Sequence, residues 1–236
     1  MLFLSHYEVG AFRTIVGDSK ISRIGLIQGL TEGSLQTFVF LWSPALRSFS
    51  PSAPHTALGL DCDGEPAYGL IFGAFMACGV IGGVIEPAMR NSAVYVAERL
   101  KGPRSGGNKS AAEVGFLCAA CYFLSAILLF TPCLVEKDSP YSFSICLLAF
   151  MLYEVLVGVY MPCEGVLRSI FMPNKSTCSI MTMLRVIVNA FVALGVISTN
   201  YLSFTTAFSA LSVMMISAAC LQLSLLSRFQ CPISLR

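Results

Sequence analysis

"LLAFMLYEVLVGVY", residues 147–160, is an apolar run with a carboxylate, Glu154, near its centre. Taken out to residues 141–163, the run is long enough to cross a hydrocarbon core as a helix, which needs about 20 residues at 1.5 Å each. A charge at such a depth costs about 2.5–3.5 kcal/mol on insertion scales. Glu154 therefore needs a partner or a wet cavity, and the rest of the chain has to supply one.

The rest of the chain has the same character. Of 236 residues, 56% are hydrophobic and 12% charged, against about 25% charged in an ordinary soluble domain. Five further stretches scan as spans, at 24–44, 67–89, 112–132, 179–199 and 202–226. The connectors between them carry Pro, Gly, Ser and charge, as in "RLKGPRSGGNKS" (99–110) and "FMPNKST" (171–177). The expectation is an all-α membrane protein, a six-helix transmembrane bundle over residues 24–227. Residues 1–23 read as a cytosolic linker and 228–236 as a short cytosolic tail. A first span that follows such a linker is what the second half of a larger protein would show.

Charge distribution orients the bundle. With the amino terminus in the cytosol, that side collects Lys20, Arg23, Arg90, Lys101, Lys109, Lys175 and Arg228, and leaves Arg47 and Lys137 outside. The positive-inside rule then places both termini in the cytosol. The sequons at Asn108 and Asn174 fall in cytosolic loops on this topology and are expected to be unmodified. No targeting motif says which membrane is used.

Several function classes fall away. A net charge of +2, with the basic residues dispersed, gives no nucleic-acid footprint. His6 and His55 lack companions for a metal site. The ten cysteines lie mostly inside apolar runs and read as small packing residues. Cys118 and Cys121 form a CxxC with no second pair to complete a zinc site. No HExxH, GxSxG or nucleophile–base–orienter set occurs, so neither catalysis nor a cofactor is expected.

The ionisable residues within the spans then carry the interest. Glu86 and Arg90, and likewise Glu164 and Arg168, stand at i,i+4 near helix ends, the favourable order for local ion pairs and interfacial anchors. Glu32, Glu154 and Arg185 lie about 12, 13 and 9 Å in from the cytosolic ends of their spans, at the 1.5 Å rise. At one depth they would neutralise one another or share a solute path. Gln28, Glu32 and Gln36 form a polar stripe on the first helix, and Arg185 and Asn189 lie one turn apart on the fifth. Gly25, Gly29 and Gly33 give the first helix a close-packing face. Pro87, Pro162 and Gly158 are candidates for loosening helices near a gate.

The stretches "GLIQGLTEGSLQTFVFLWSPAL" (25–46), "YGLIFGAFMACGVIGG" (68–83), "YEVLVGVYMPCEGVLRSIFMP" (153–173) and "IMTMLRVIVNAF" (180–191) resemble, in order, the carboxy-terminal half of the molybdate-anion transporter family of the major facilitator superfamily. The resemblance implies a helical half-transporter in which two six-helix bundles rock around a central path. It implies that Arg185 and Asn189, with Gln28 or Gln36, would hold molybdate or another small oxyanion, since a guanidinium fork and neutral donors suit a tetrahedral anion. Glu32 and Glu154 would orient Arg185 or take up protons. The partners so implied are a lipid bilayer, the oxyanion, and a second six-helix half or a second copy of the chain. Two positions depart from the family pattern, Glu164 where a small or neutral residue is expected and Ile187 where a proline is. The competing class is a non-transporting scaffold or degenerate half that pairs with another helix bundle.

Overall fold

The computed structural model describes residues 17–54, 56–101, 109–171, 177–199 and 203–227. Most of the linker, the carboxy-terminal tail, His6, His55 and the asparagines of both sequons, Asn108 and Asn174, lie outside the described residues. Six long helices follow in the expected order: α1 (Ser19–Phe49), α2 (Tyr68–Lys101), α3 (Lys109–Leu134), α4 (Ser142–Phe171), α5 (Thr177–Thr199) and α6 (Phe204–Ser227). Among the described residues no β-strand forms, only an isolated bridge between Leu60 and Pro66.

Helices α2 to α6 are each long and apolar enough to cross a membrane. Helix α1 is long enough, but its Gln28, Glu32 and Gln36 stripe and its Ser and Thr residues keep it out of that apolar class. It starts cleanly, with the Asp18 side chain accepting from the Lys20 backbone N–H at 2.8 Å, a cap of the usual kind. Pro44 sits inside α1, and the helix ends in a 3₁₀ turn over Ser50–Ser52. The connector to α2 turns at Gly59 and Gly64, both at positive φ, which a side chain would resist. An exposed Arg47–Glu65 pair at 3.5 Å ties that connector to the end of α1.

The core is built on one face of α4. Phe143, Phe150, Tyr153, Val157, Tyr160 and Leu167 recur at helical spacing and are all buried. Phe38 of α1 packs into that face, with ring centroids 5.1 Å from Phe150 and 4.9 Å from Tyr153. Trp42 and Phe75 extend the cluster onto α2 at 5.2 Å, and Phe208 of α6 stacks on Phe150 at 5.5 Å. Tyr122 of α3 meets Tyr160 edge-on at 5.2 Å. One aromatic seam thus fixes α1, α2, α3 and α6 against α4.

Glycine sets the closest approach in the bundle. A Cβ on Gly82 of α2 would collide with the Val155 carbonyl of α4, and one on Gly158 with the Gly79 carbonyl. Backbone touches backbone there, as small residues permit between membrane helices. Gly158, expected to loosen α4, instead clamps it to α2. On the other side of the bundle Gly25 of α1 receives Leu184 of α5, and Gly195 of α5 receives Thr37 of α1. The two contacts advance together along both chains, so α1 and α5 run parallel.

Candidate functional site

Three helices bring charge together where α1 begins its traverse and α4 ends, and a fourth adds a hydroxyl. Gln28 donates its side-chain amide to Glu32 Oε1 at 2.7 Å, one turn along α1. Glu32 also faces two guanidinium groups: Arg168 of α4 at 3.7 Å and Arg185 of α5 at 3.8 Å. Arg168 reaches on to Glu164 at 3.8 Å. Glu164 Oε1 then accepts from the Tyr122 hydroxyl at 2.8 Å and from Thr31 at 3.0 Å. The result is a chain of alternating charge, Arg185, Glu32, Arg168, Glu164, closed by two neutral donors from α3 and α1.

Burial grades along this chain. The Glu164 side chain is 7% exposed, Glu32 15%, Arg168 21% and Arg185 68%. The inner carboxylate is thus held by hydroxyls and a guanidinium, as a buried charge requires. Among the described residues the outer guanidinium has one carboxylate partner, which leaves most of its donors open. An arginine so placed can receive an anion with its free N–H groups while Glu32 holds its position.

The parallel register of α1 and α5 extends the open face. Gln36 lies one turn beyond Glu32, and Asn189 one turn beyond Arg185 in the same sense. Both are exposed. Glu32 with Arg185, and Gln36 with Asn189, therefore stand as two successive polar rungs on a surface that these six helices leave uncovered.

The structure thus joins Gln28, Glu32 and Arg185 and aligns Gln36 and Asn189 beside them. It does not bring Glu154 there. Glu154 lies ten residues before Glu164 on α4, about 15 Å along the axis at 1.5 Å per residue, so Glu32, Glu154 and Arg185 do not share a depth. The α4 helix continues to Phe171, well past the expected end at 163, which leaves Glu154 far deeper than the span reading put it. Its side chain is buried against α2 and makes no hydrogen bond or ion pair among the described residues.

Glu164, Arg168, Tyr122 and Thr31 were missing from the expected site. Glu164 and Arg168 do form the i,i+4 pair, yet Glu164 is buried and bonded to two other helices and so is no interfacial anchor. A signal for this was present: Glu164 falls on the same α4 stripe as Tyr153, Val157, Tyr160 and Leu167, which marks it as inward-facing. The other pair behaves similarly. Glu86 meets Arg90 at 3.4 Å, and the carboxylate is buried and accepts from Cys163 of α4 at 3.2 Å.

Among the described residues, no group of His, Cys, Asp and Glu side chains is placed to hold a metal ion.

Comparison with known proteins agrees with this architecture. Residues 4–150 match a major facilitator superfamily family described as sugar transporters with twelve transmembrane spans. Curated relatives include the molybdate-anion transporter of Xenopus tropicalis, 26% identical over 185 residues, which cover 78% of this chain and 34% of the relative. The molybdate-anion transporter of Danio rerio is 26% identical over 192 residues, 80% of this chain and 33% of the relative. That of Takifugu rubripes is 25% identical over 189 residues, 79% and 32%. The chain spans about a third of the length of the curated relatives it matches. No solved structure matches. With well over half its residues matched, and with helices of membrane-spanning length in the order the resemblance implied, this multi-pass membrane protein belongs to that twelve-span family of the major facilitator superfamily.

Proposed function

We propose that the chain acts as one half of a membrane transporter that moves molybdate or a similar oxyanion by alternating access, with no catalytic step. The observation that carries this reading is Arg185, a guanidinium held by Glu32 on one side and 68% exposed on the other. It stands on a polar face that continues through Gln36 and Asn189. Keeping a guanidinium open within an apolar helix is costly unless a counter-charge or water meets it.

The same residue chooses between substrate classes. The family description names sugars, and the curated relatives are named for molybdate. A sugar is neutral and needs amide and hydroxyl partners, whereas an oxyanion needs a cation with directed donors. Arg185 with Asn189 and Gln36 suits the anion. The uncovered face then belongs against a second six-helix half or a second copy of this chain, with both termini of this one on the cytosolic side.

Equilibrium binding of labelled molybdate to the purified, folded chain tests the substrate class. Binding that sulfate displaces, that hexoses leave unchanged, and that Arg185→Ala abolishes is the expected result. Displacement by a hexose, with no dependence on Arg185, would sink the oxyanion reading.

A further inference from the structure

Beside the charged chain a narrow cleft opens between α1, α3, α4 and α6. Gln28, Tyr122, Glu164, Arg168 and Gln222 supply its polar lining and Ile27 part of its apolar wall. Its size admits about one water molecule. Two atoms in its lining have no hydrogen-bond partner among the described residues, the Gln28 Oε1 acceptor and the Gln222 Nε2 donor. Both side chains are more than nine-tenths buried, at 4% and 2% exposed. Buried amides are bonded in the great majority of native structures, to protein or to ordered water.

We infer that this cleft holds a water molecule that links Gln28 to Gln222 and hydrates Glu164, making Glu164 the carboxylate through which the bundle exchanges a proton with the aqueous side. The acceptor and donor are of opposite kinds, as a bridging water needs. Glu164 Oε1 is occupied by the Tyr122 and Thr31 hydroxyls, and Oε2 faces Arg168 at 3.8 Å, beyond hydrogen-bond distance, so Oε2 is the atom that takes a proton relayed through that water from the aqueous side.

The groups around Glu164 define its electrostatics. Thr31 and Glu32 face it from α1, Tyr122 and Cys118 come from α3, and Arg168 and Tyr160 lie on α4 itself. On α2 the Glu86 carboxylate pairs with Arg90 and Cys163. Among the described residues Arg185 of α5 reaches Glu32 alone, and on the α6 side Arg23 donates to Ser224 at 3.3 Å. Two carboxylates are thus balanced by Arg168 and Arg185. When Arg185 turns to a substrate anion, Glu32 and Glu164 share Arg168 alone, and a proton on Glu164 restores neutrality. That last step rests on the transporter reading; the water and the protonation do not.

Infrared difference spectroscopy of the full chain in lipid, titrated with acid and repeated in D₂O, tests the inference without any transport. The expected result is a protonated-carboxyl stretch that grows as pH falls, shifts on D₂O exchange, and is lost in Glu164→Gln. In Gln222→Leu the band remains but its exchange slows. Gly115→Ala serves as a second variant, because a Cβ there would lie 2.7 Å from Gln222 Nε2 and displace the amide. A band that survives Glu164→Gln would overturn the assignment. Exchange unaltered in both cleft variants, with helicity intact by circular dichroism, would overturn the water.

Discussion

Arg185 of α5 lies 3.8 Å from Glu32 of α1, the more exposed member of an ion pair whose carboxylate is mostly covered. The pair is therefore asymmetric: Glu32 is anchored by Gln28 and Arg168 as well, whereas Arg185 has Glu32 as its one ion-pair partner among the described residues. Lysine at this position keeps the charge and loses the planar fork. Arg185→Lys is expected to weaken molybdate binding about tenfold, the ~1.4 kcal/mol of one charge-assisted hydrogen bond. Membrane abundance should stay unchanged. Equal loss of folded protein would mark the pair as structural.

Arg168 stands between Glu32 and Glu164, at 3.7 and 3.8 Å. Removing it leaves a buried carboxylate without its cation, a loss of about 3 kcal/mol or more when a buried pair is broken. Arg168→Ala should lower the thermal midpoint of the detergent-solubilised chain by far more than Arg185→Ala, and fluorescence-detected size-exclusion after heating would read the difference. Similar midpoints for the two variants would contradict the graded burial.

Tyr122 closes the inner end of the chain through one hydroxyl. Tyr122→Phe removes a hydrogen bond to a charged acceptor, worth about 1.5–3 kcal/mol, and keeps the ring that meets Tyr160 edge-on. A stability loss in that range is expected, and it should shrink in a Glu164→Gln background, because the two residues act through one contact. Full additivity in the double-mutant cycle would disprove the coupling.

The α2–α4 clamp gives a steric test with an internal control. Gly82→Ala and Gly158→Ala each drive a Cβ into a backbone carbonyl of the other helix, whereas a Cβ on Gly73 meets nothing within 4 Å. Overpacking of this kind costs about 1–3 kcal/mol. The first two variants should fall in thermal stability and Gly73→Ala should not. Parity among the three would show that the helices stand further apart than described.

How much of this was legible in the sequence follows from the range of each signal. The six helices and the polar stripe Gln28, Glu32, Gln36 are periodic within one segment, and a single segment reveals them. The partners of Glu164 are not. Tyr122 and Thr31 come from helices far away in the chain, so Glu164 read as half of a local Glu–Arg pair. Glu154 erred the other way. Its central place in an apolar run calls for a partner, but an apolar run that ends at 163 does not show that α4 continues to Phe171. Gly158 suggests flexibility because one helix seen alone shows only a missing side chain. The opposing Gly79 and Gly82 turn the same absence into close contact.

The central claim, that Arg185 presents a guanidinium to an oxyanion path, is tested most directly by uptake of labelled molybdate into liposomes containing this chain, with Arg185→Ala as the matched control. Saturable uptake that disappears in Arg185→Ala is the expected result. Saturable uptake that is indifferent to Arg185 would contradict it.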